Sequence, residues 1–111
     1  MKIKHETAGV APQTIQELAE REGWTLIVTH NHLLSCFQAS FEDVEVSRDS
    51  QLLVGEWGGG MNEAEAISEY AKKISNQKLV HNASGALRKE VHTGVVTVDK
   101  DALERECQAS C

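Results

Sequence analysis

The side chains best placed in sequence to hold an anion lie in the run His81-Asn82-Ala83-Ser84-Gly85-Ala86-Leu87-Arg88-Lys89. Asn82 carries an amide that both donates and accepts, so it can read a base or ribose edge. Arg88 and Lys89 add two cations suited to a pyrophosphate, one a planar fork and the other a point charge. Upstream, Trp57 stands directly before Gly58-Gly59-Gly60. An indole there serves either as a stacking face for a base or as a plug at a strand end. Trp57, His81, Asn82, Arg88 and Lys89 together form the candidate ligand-binding set. Arg88 and Lys89 equally fit a solvated loop with ordinary surface charge, and spacing alone does not separate the two readings.

Other constellations carry less. A glycine run ahead of a helix start can turn backbone N–H groups toward an anion. No Lys-Ser or Lys-Thr pair follows it here, and Glu63 and Glu65 in the first helical turn repel phosphate. A tight strand-to-helix turn is the better reading. His30 and His32 share a face if the backbone is extended, but His81 and His92 lie far off and no second close pair completes a metal site. Ser35, Cys36, Ser40 and His81 coexist with many carboxylates, yet no G-x-S-x-G elbow is present. Glu42 and Asp43 adjoin at a strand bend, where solvation is expected. The expectation is a binding protein with no catalytic residue, no metal and no cofactor.

The formal net charge of −6 opposes nucleic-acid polymers, whose binding begins with a basic patch. A small anionic nucleotide is compatible with it, because two or three placed cations suffice. No apolar run approaches the roughly 20 residues of a membrane helix, and MKIKHETAGV at the start has no apolar signal region. The cytoplasm is the expected compartment. The three cysteines, Cys36, Cys107 and Cys111, are an odd set that reads as reduced thiols.

The elements that must position these residues follow from period and capping. Over its 111 residues the chain has the length of one domain, with residues 1–12 polar and either flexible or used in oligomer contacts. Thr14 with Glu17 is a capping-box pair, Ile15, Leu18 and Ala19 recur at helical spacing, and Gly23 stops the helix, which is predicted over 14–22. Trp24 to Thr29 reads as a strand and His30-Asn31-His32 as a turn. Phe37, Ala39 and Phe41 alternate with polar neighbours, and Val44 and Val46 continue the strand past a bulge or bend at Glu42-Asp43. Arg48-Asp49-Ser50 turns the chain into a third strand from Leu52, which is expected to end at the glycines, since glycine packs nothing in a strand interior. Asn62 caps a second helix with an apolar stripe of Ala66, Ile67, Tyr70, Ala71 and Ile74, and Lys72 and Lys73 suit its C-terminal dipole. Leu79-Val80, Val91 and Val95–Val98 supply further strand, and Asp99 caps a short terminal helix. The predicted fold is α+β: a four- or five-stranded, mainly antiparallel sheet, one main helix on it, and short N- and C-terminal helices.

The run GEWGGGMNEAEAISEYAKKISNQKLVHNASGALRKEV resembles a group of small phage-encoded proteins. The resemblance is carried by Glu65-Ala66-Ile67, Tyr70, Ile74-Ser75, Leu79-Val80, Asn82-Ala83 and Arg88-Lys89-Glu90, and it extends upstream through Phe37–Phe41, covering roughly residues 24 to 91. Proteins of this kind are similar to the phage anti-Thoeris sponges, which sequester a cyclic ADP-ribose signal intact and act as oligomers. The resemblance thus implies a counter-defence protein that captures a cyclic nucleotide in the host cytoplasm as a homo-oligomer, a dimer or larger. The pattern departs in three places: Gly-Gly-Gly stands for Gly-Asn-Gly, His81 stands for an aromatic residue, and the helix from Asp99 has no counterpart. Three strands followed by a helix opening on an acidic-Ala pair is also similar to the HicB-type antitoxin domain. That second resemblance implies a protein-binding module instead.

Overall fold

The first helix starts where its cap dictates. A computed structural model of the chain describes residues 11–33, 35–48 and 52–103, and α1 runs Ile15–Glu22. Thr14 Oγ1 accepts from the Glu17 amide at 3.1 Å while the Glu17 carboxylate accepts from the Thr14 amide at 3.0 Å. Two amide groups at the helix start are satisfied reciprocally. Gly23 ends the helix at φ 71°, a left-handed conformation that favours glycine.

Beyond Gly23 come β2 (Leu26–Asn31), β3 (Cys36–Phe41) and β4 (Val44–Arg48). β2 and β3 pair antiparallel from Leu26 opposite Phe41 to Asn31 opposite Cys36. Extended backbone therefore continues through His30 and Asn31, where a turn was expected. His30 stacks on Phe37 with ring centroids 4.4 Å apart, a contact on one face of the strand pair that helps hold it in the ladder. At Glu42 and Asp43 the chain bends, Asp43 taking φ 58°, and β4 finds different neighbours from β3. It lies between β5 (Leu52–Val54) and β7 (Lys78–His81), with β8 (Lys89–His92) beyond β7. A short parallel pair joins β1 (Gln13–Thr14) to β9 (Val96–Thr97). The class is α+β and mainly antiparallel, as the period implied. The strands divide into sheets of two, three and four because the bend at 42–43 passes the long strand from one set of partners to another.

The glycines correct the sequence reading most sharply. Gly58–Gly60 is itself a strand, β6, antiparallel to β3 with Phe37 opposite Gly60 and Ala39 opposite Gly58. The reason lies in the helix above it. α2 (Glu63–Ile74) packs directly on β6. A Cβ on Gly58 would stand 2.7 Å from Tyr70 Cα and nearer still to the Ala66 carbonyl oxygen, and one on Gly60 would stand 2.7 Å from the Ala66 amide nitrogen. Glycine here lets a helix backbone rest on a strand backbone, so the missing side chain is the packing feature.

Asn62 caps α2 as expected, its Oδ1 accepting from the Glu65 amide at 2.9 Å, and the Glu65 carboxylate accepts from the Met61 amide at 2.7 Å. Ala66, Ile67, Tyr70, Ala71 and Ile74 are all buried. Tyr70 reaches through the core, where its hydroxyl accepts from the Phe41 amide at 3.1 Å. β6 stops short of Phe41, so the phenol supplies the partner that a strand would have supplied. Burial pushes the Tyr70 phenol up to about 12, against the opposing hydrogen bond from Phe41 and with a smaller push from Glu56.

The far end of α2 is tied to β9 and to the segment between β8 and β9. Ser75 Oγ accepts from the Val96 amide at 2.9 Å, and the buried Thr93 hydroxyl accepts from the Gln77 amide at 3.0 Å. Asp99 caps a helical turn at 100–103, where Leu103 is buried. No helix among the described residues is long and apolar enough to cross a membrane. Residues 1–10, Asp49 and Ser50 of the predicted turn, and Cys107 and Cys111 lie outside the described residues.

Candidate functional site

Four of the five expected ligand-binding residues fall on one hairpin, and the fifth is engaged elsewhere. His81 ends β7 and Lys89 opens β8 directly opposite it. The His81 ring lies 5.7 Å from Trp24, tilted by 33°. Asn82 takes φ 54°, which Asn tolerates better than most residues. Its amide donates to the Asp43 carbonyl at 3.0 Å and its carbonyl accepts from Gly85 at 2.9 Å. Asn82 thus turns the chain out of β7 at the bend between β3 and β4, a role the sequence reading did not assign it.

The two cations of the set are matched by carboxylates. Arg88 lies 3.4 Å from Glu90, which also pairs with Lys78 at 3.1 Å. Lys78 first, then Arg88, hold the Glu90 carboxyl below its ordinary value. Lys89 pairs with Glu22 at the end of α1, whose side chain is only 8% exposed. The hydrogen bond from Lys89 holds the Glu22 carboxyl below its ordinary value, with Arg21 adding to it and burial opposing. Glu22 and Lys89 stand far apart in sequence, and local spacing gives no sign of the pairing.

Trp57 makes its contacts with α2 and the glycine strand. The residue is 49% exposed. Lys73 of α2 donates to the Trp57 carbonyl at 2.9 Å, with its ammonium 5.3 Å from the ring centroid, and also pairs with Glu69 at 3.3 Å. A Cβ on Gly59 would lie 3.2 Å from the indole edge, so the ring leans over the glycine strand. Trp57 is therefore both a strand-end cover and a half-open aromatic face.

A concavity with a volume of about 470 Å³ lies elsewhere, between α1, β2 and the start of α2. Ile15 and Ala19 of α1, Ile67 of α2 and Leu103 line it. Trp24, Leu26 and Val28 make its floor, and Glu20 and Glu63 stand at its rim. Glu20 is exposed. Its size is within the roughly 300–1,000 Å³ of small-ligand sites. A second hollow, about 530 Å³, runs along α2 past Gly60 and is lined by Lys72 and Lys100 together with Glu65 and Glu69, so its charge is mixed.

The chain matches no family model, no curated protein and no solved structure. The site is therefore read from its own chemistry. The groove can desolvate apolar side chains on its floor and place a cation against its rim. Among the described residues, no three His, Cys, Asp or Glu side chains gather as a metal-holding group. The sequence carries one sign of the groove beyond strand propensity: Leu26, Ile27 and Val28 are consecutive apolar residues, so both faces of β2 are apolar.

Proposed function

We propose that the protein is a non-catalytic binding module of the cytoplasm that takes an apolar, cation-bearing segment of a partner protein into the groove between α1, β2 and α2. The observation that carries this reading is the pairing of an apolar floor (Trp24, Leu26, Val28) with an exposed carboxylate, Glu20, at the rim. A net charge of −6 draws a cationic partner from a distance as well. The occupant of this chemistry is an amphipathic segment with Lys or Arg beside its apolar residues. This is the protein-binding role that the HicB-type resemblance implies.

The phage counter-defence reading, sequestration of a cyclic ADP-ribose-type nucleotide, is favoured by a different observation. The Trp57 indole is half-open with the Lys73 ammonium above it, which suits a base stacked beside a phosphate. That reading requires Arg88 and Lys89 to exchange Glu90 and Glu22 for the ligand.

Two tryptophans make the readings separable by fluorescence. In a Trp57→Phe protein, Trp24 in the groove is the only indole. The expected result is a saturable shift of its emission on adding a Leu/Lys amphipathic peptide, and no response to cyclic ADP-ribose. Quenching of the wild type by cyclic ADP-ribose that vanishes in Trp57→Phe, with intact nucleotide released by heat, would replace the groove reading by the sponge reading.

A further inference from the structure

The edges of the sheets differ in how they are guarded. β8 carries Lys89 and Glu90, both in ion pairs. β5 has three residues, β6 is three glycines beneath α2, and β1 and β9 have two residues each. β2 is the exception. Leu26–Asn31 is six residues long, holds no Lys, Arg, Asp, Glu or Pro, and pairs with β3 without a bulge. It ends its sheet, so among the described residues no strand pairs with its outer side. Edges of monomeric proteins are kept from pairing by charge, proline, bulges, brevity or cover. β2 has none of the first four, and an open groove lies above it.

The direction of the β2 backbone groups follows from one hydrogen bond. The Glu42 amide donates to the Thr25 carbonyl at 2.8 Å. Bonded pairs alternate along an antiparallel ladder, so residues 27 and 29 bond to β3 while Leu26, Val28 and His30 turn their N–H and C=O groups outward. We infer that β2 pairs antiparallel with β2 of a second copy about a two-fold axis at Val28. Val28 then faces Val28, Leu26 of each copy faces His30 of the other, and every outward group between them is bonded. Ile27, 40% exposed in one copy, packs against Thr29 of the other on the outer face. The strand is neutral on a chain of net charge −6, so it is a place where two copies meet without repulsion. A two-fold axis perpendicular to the sheet leaves both helix layers on one side and sets the two groove floors next to each other. The inference does not depend on what the groove binds.

The test is sedimentation of the full chain with residue-resolved amide exchange. A dimer is expected, with amides 26, 28 and 30 as slow to exchange as amides 27 and 29. Ile27→Lys combined with Thr29→Lys places cations opposite one another across the axis and should give a monomer. In that monomer, amides 26, 28 and 30 exchange at least tenfold faster while 27 and 29 stay protected by β3. Mixing it with the Ile27→Glu, Thr29→Glu protein should restore a dimer. A wild type that is monomeric with fast exchange at 26, 28 and 30 overturns the inference. So does a dimer that the paired lysines leave intact.

Discussion

Strand β3 has two neighbours of opposite character. On one side, β6 is three glycines with a helix set directly on its backbone. On the other, β2 carries Leu26, Ile27 and Val28, yet has an open groove above it and, among the described residues, no strand paired with its outer edge. The strand with no side chains is the better covered, and the strand rich in apolar side chains is the more open. Close packing there is achieved by removing atoms so that two backbones meet. The apolar surface left on β2 is available to something outside the protomer.

The largest effect should come from breaking the closed side. Gly58→Ala drives a methyl group into the backbone of Ala66 and Tyr70, which cannot rotate away. We expect a loss of about 3 kcal/mol or more in chemical denaturation. Gly59→Ala comes close only to the Trp57 side chain, which can shift, and meets the Phe37 carbonyl oxygen at ordinary contact distance, so it should cost about 1 kcal/mol or less. Equal losses at the two positions would mean that the helix does not rest on β6 as described.

Tyr70→Phe should cost about 1–3 kcal/mol, because it leaves the Phe41 amide buried without its acceptor. The same phenol gives a pH signature. Its folded pKa of about 12 lies above the ordinary 10.0. Its contribution is therefore whole below pH 10 and lost as pH rises from there toward 12. The wild type should lose stability over that alkaline window, and Tyr70→Phe should be flatter there.

α1, which lines the groove, is tied to β8 partly by charge. Lys89→Ala leaves the poorly exposed Glu22 carboxylate with Arg21 alone. A loss of about 1 kcal/mol is expected, which is roughly 4–8 °C in Tm for a domain this size. The folded pKa of Glu22 is depressed, so its contribution is present above the ordinary value of 4.5 and fades as pH falls through the folded value. The difference between wild type and Lys89→Ala should narrow on acidification. The smallest change in stability is expected from Ala19→Leu, which extends a wall of the groove into open space. Stability should stay within about 0.5 kcal/mol, while binding of a Leu/Lys amphipathic peptide falls tenfold or more.

What the sequence revealed was local. The Thr14–Glu17 and Asn62–Glu65 caps, the Gly23 stop and the buried stripe of α2 depend on residues a turn or two apart. The glycine strand was hidden because its fitness depends on a helix backbone that only the tertiary structure places there. The candidate site was hidden for a related reason. Arg88 and Lys89 were legible as cations, but the carboxylate that meets Lys89 comes from the end of α1. The groove needs α1, β2 and α2 at a particular separation, and its apolar residues each looked like ordinary core.

The most direct test of the open-side account is amide chemical-shift mapping of the isotope-labelled protein titrated with the Leu/Lys amphipathic peptide. The account predicts shifts concentrated at residues 15–20, 24–28 and 63–67, with β6 and the rest of α2 unmoved. Shifts confined to Trp57 and Lys73 or to residues 81–89, or no saturable shift at all, would contradict it.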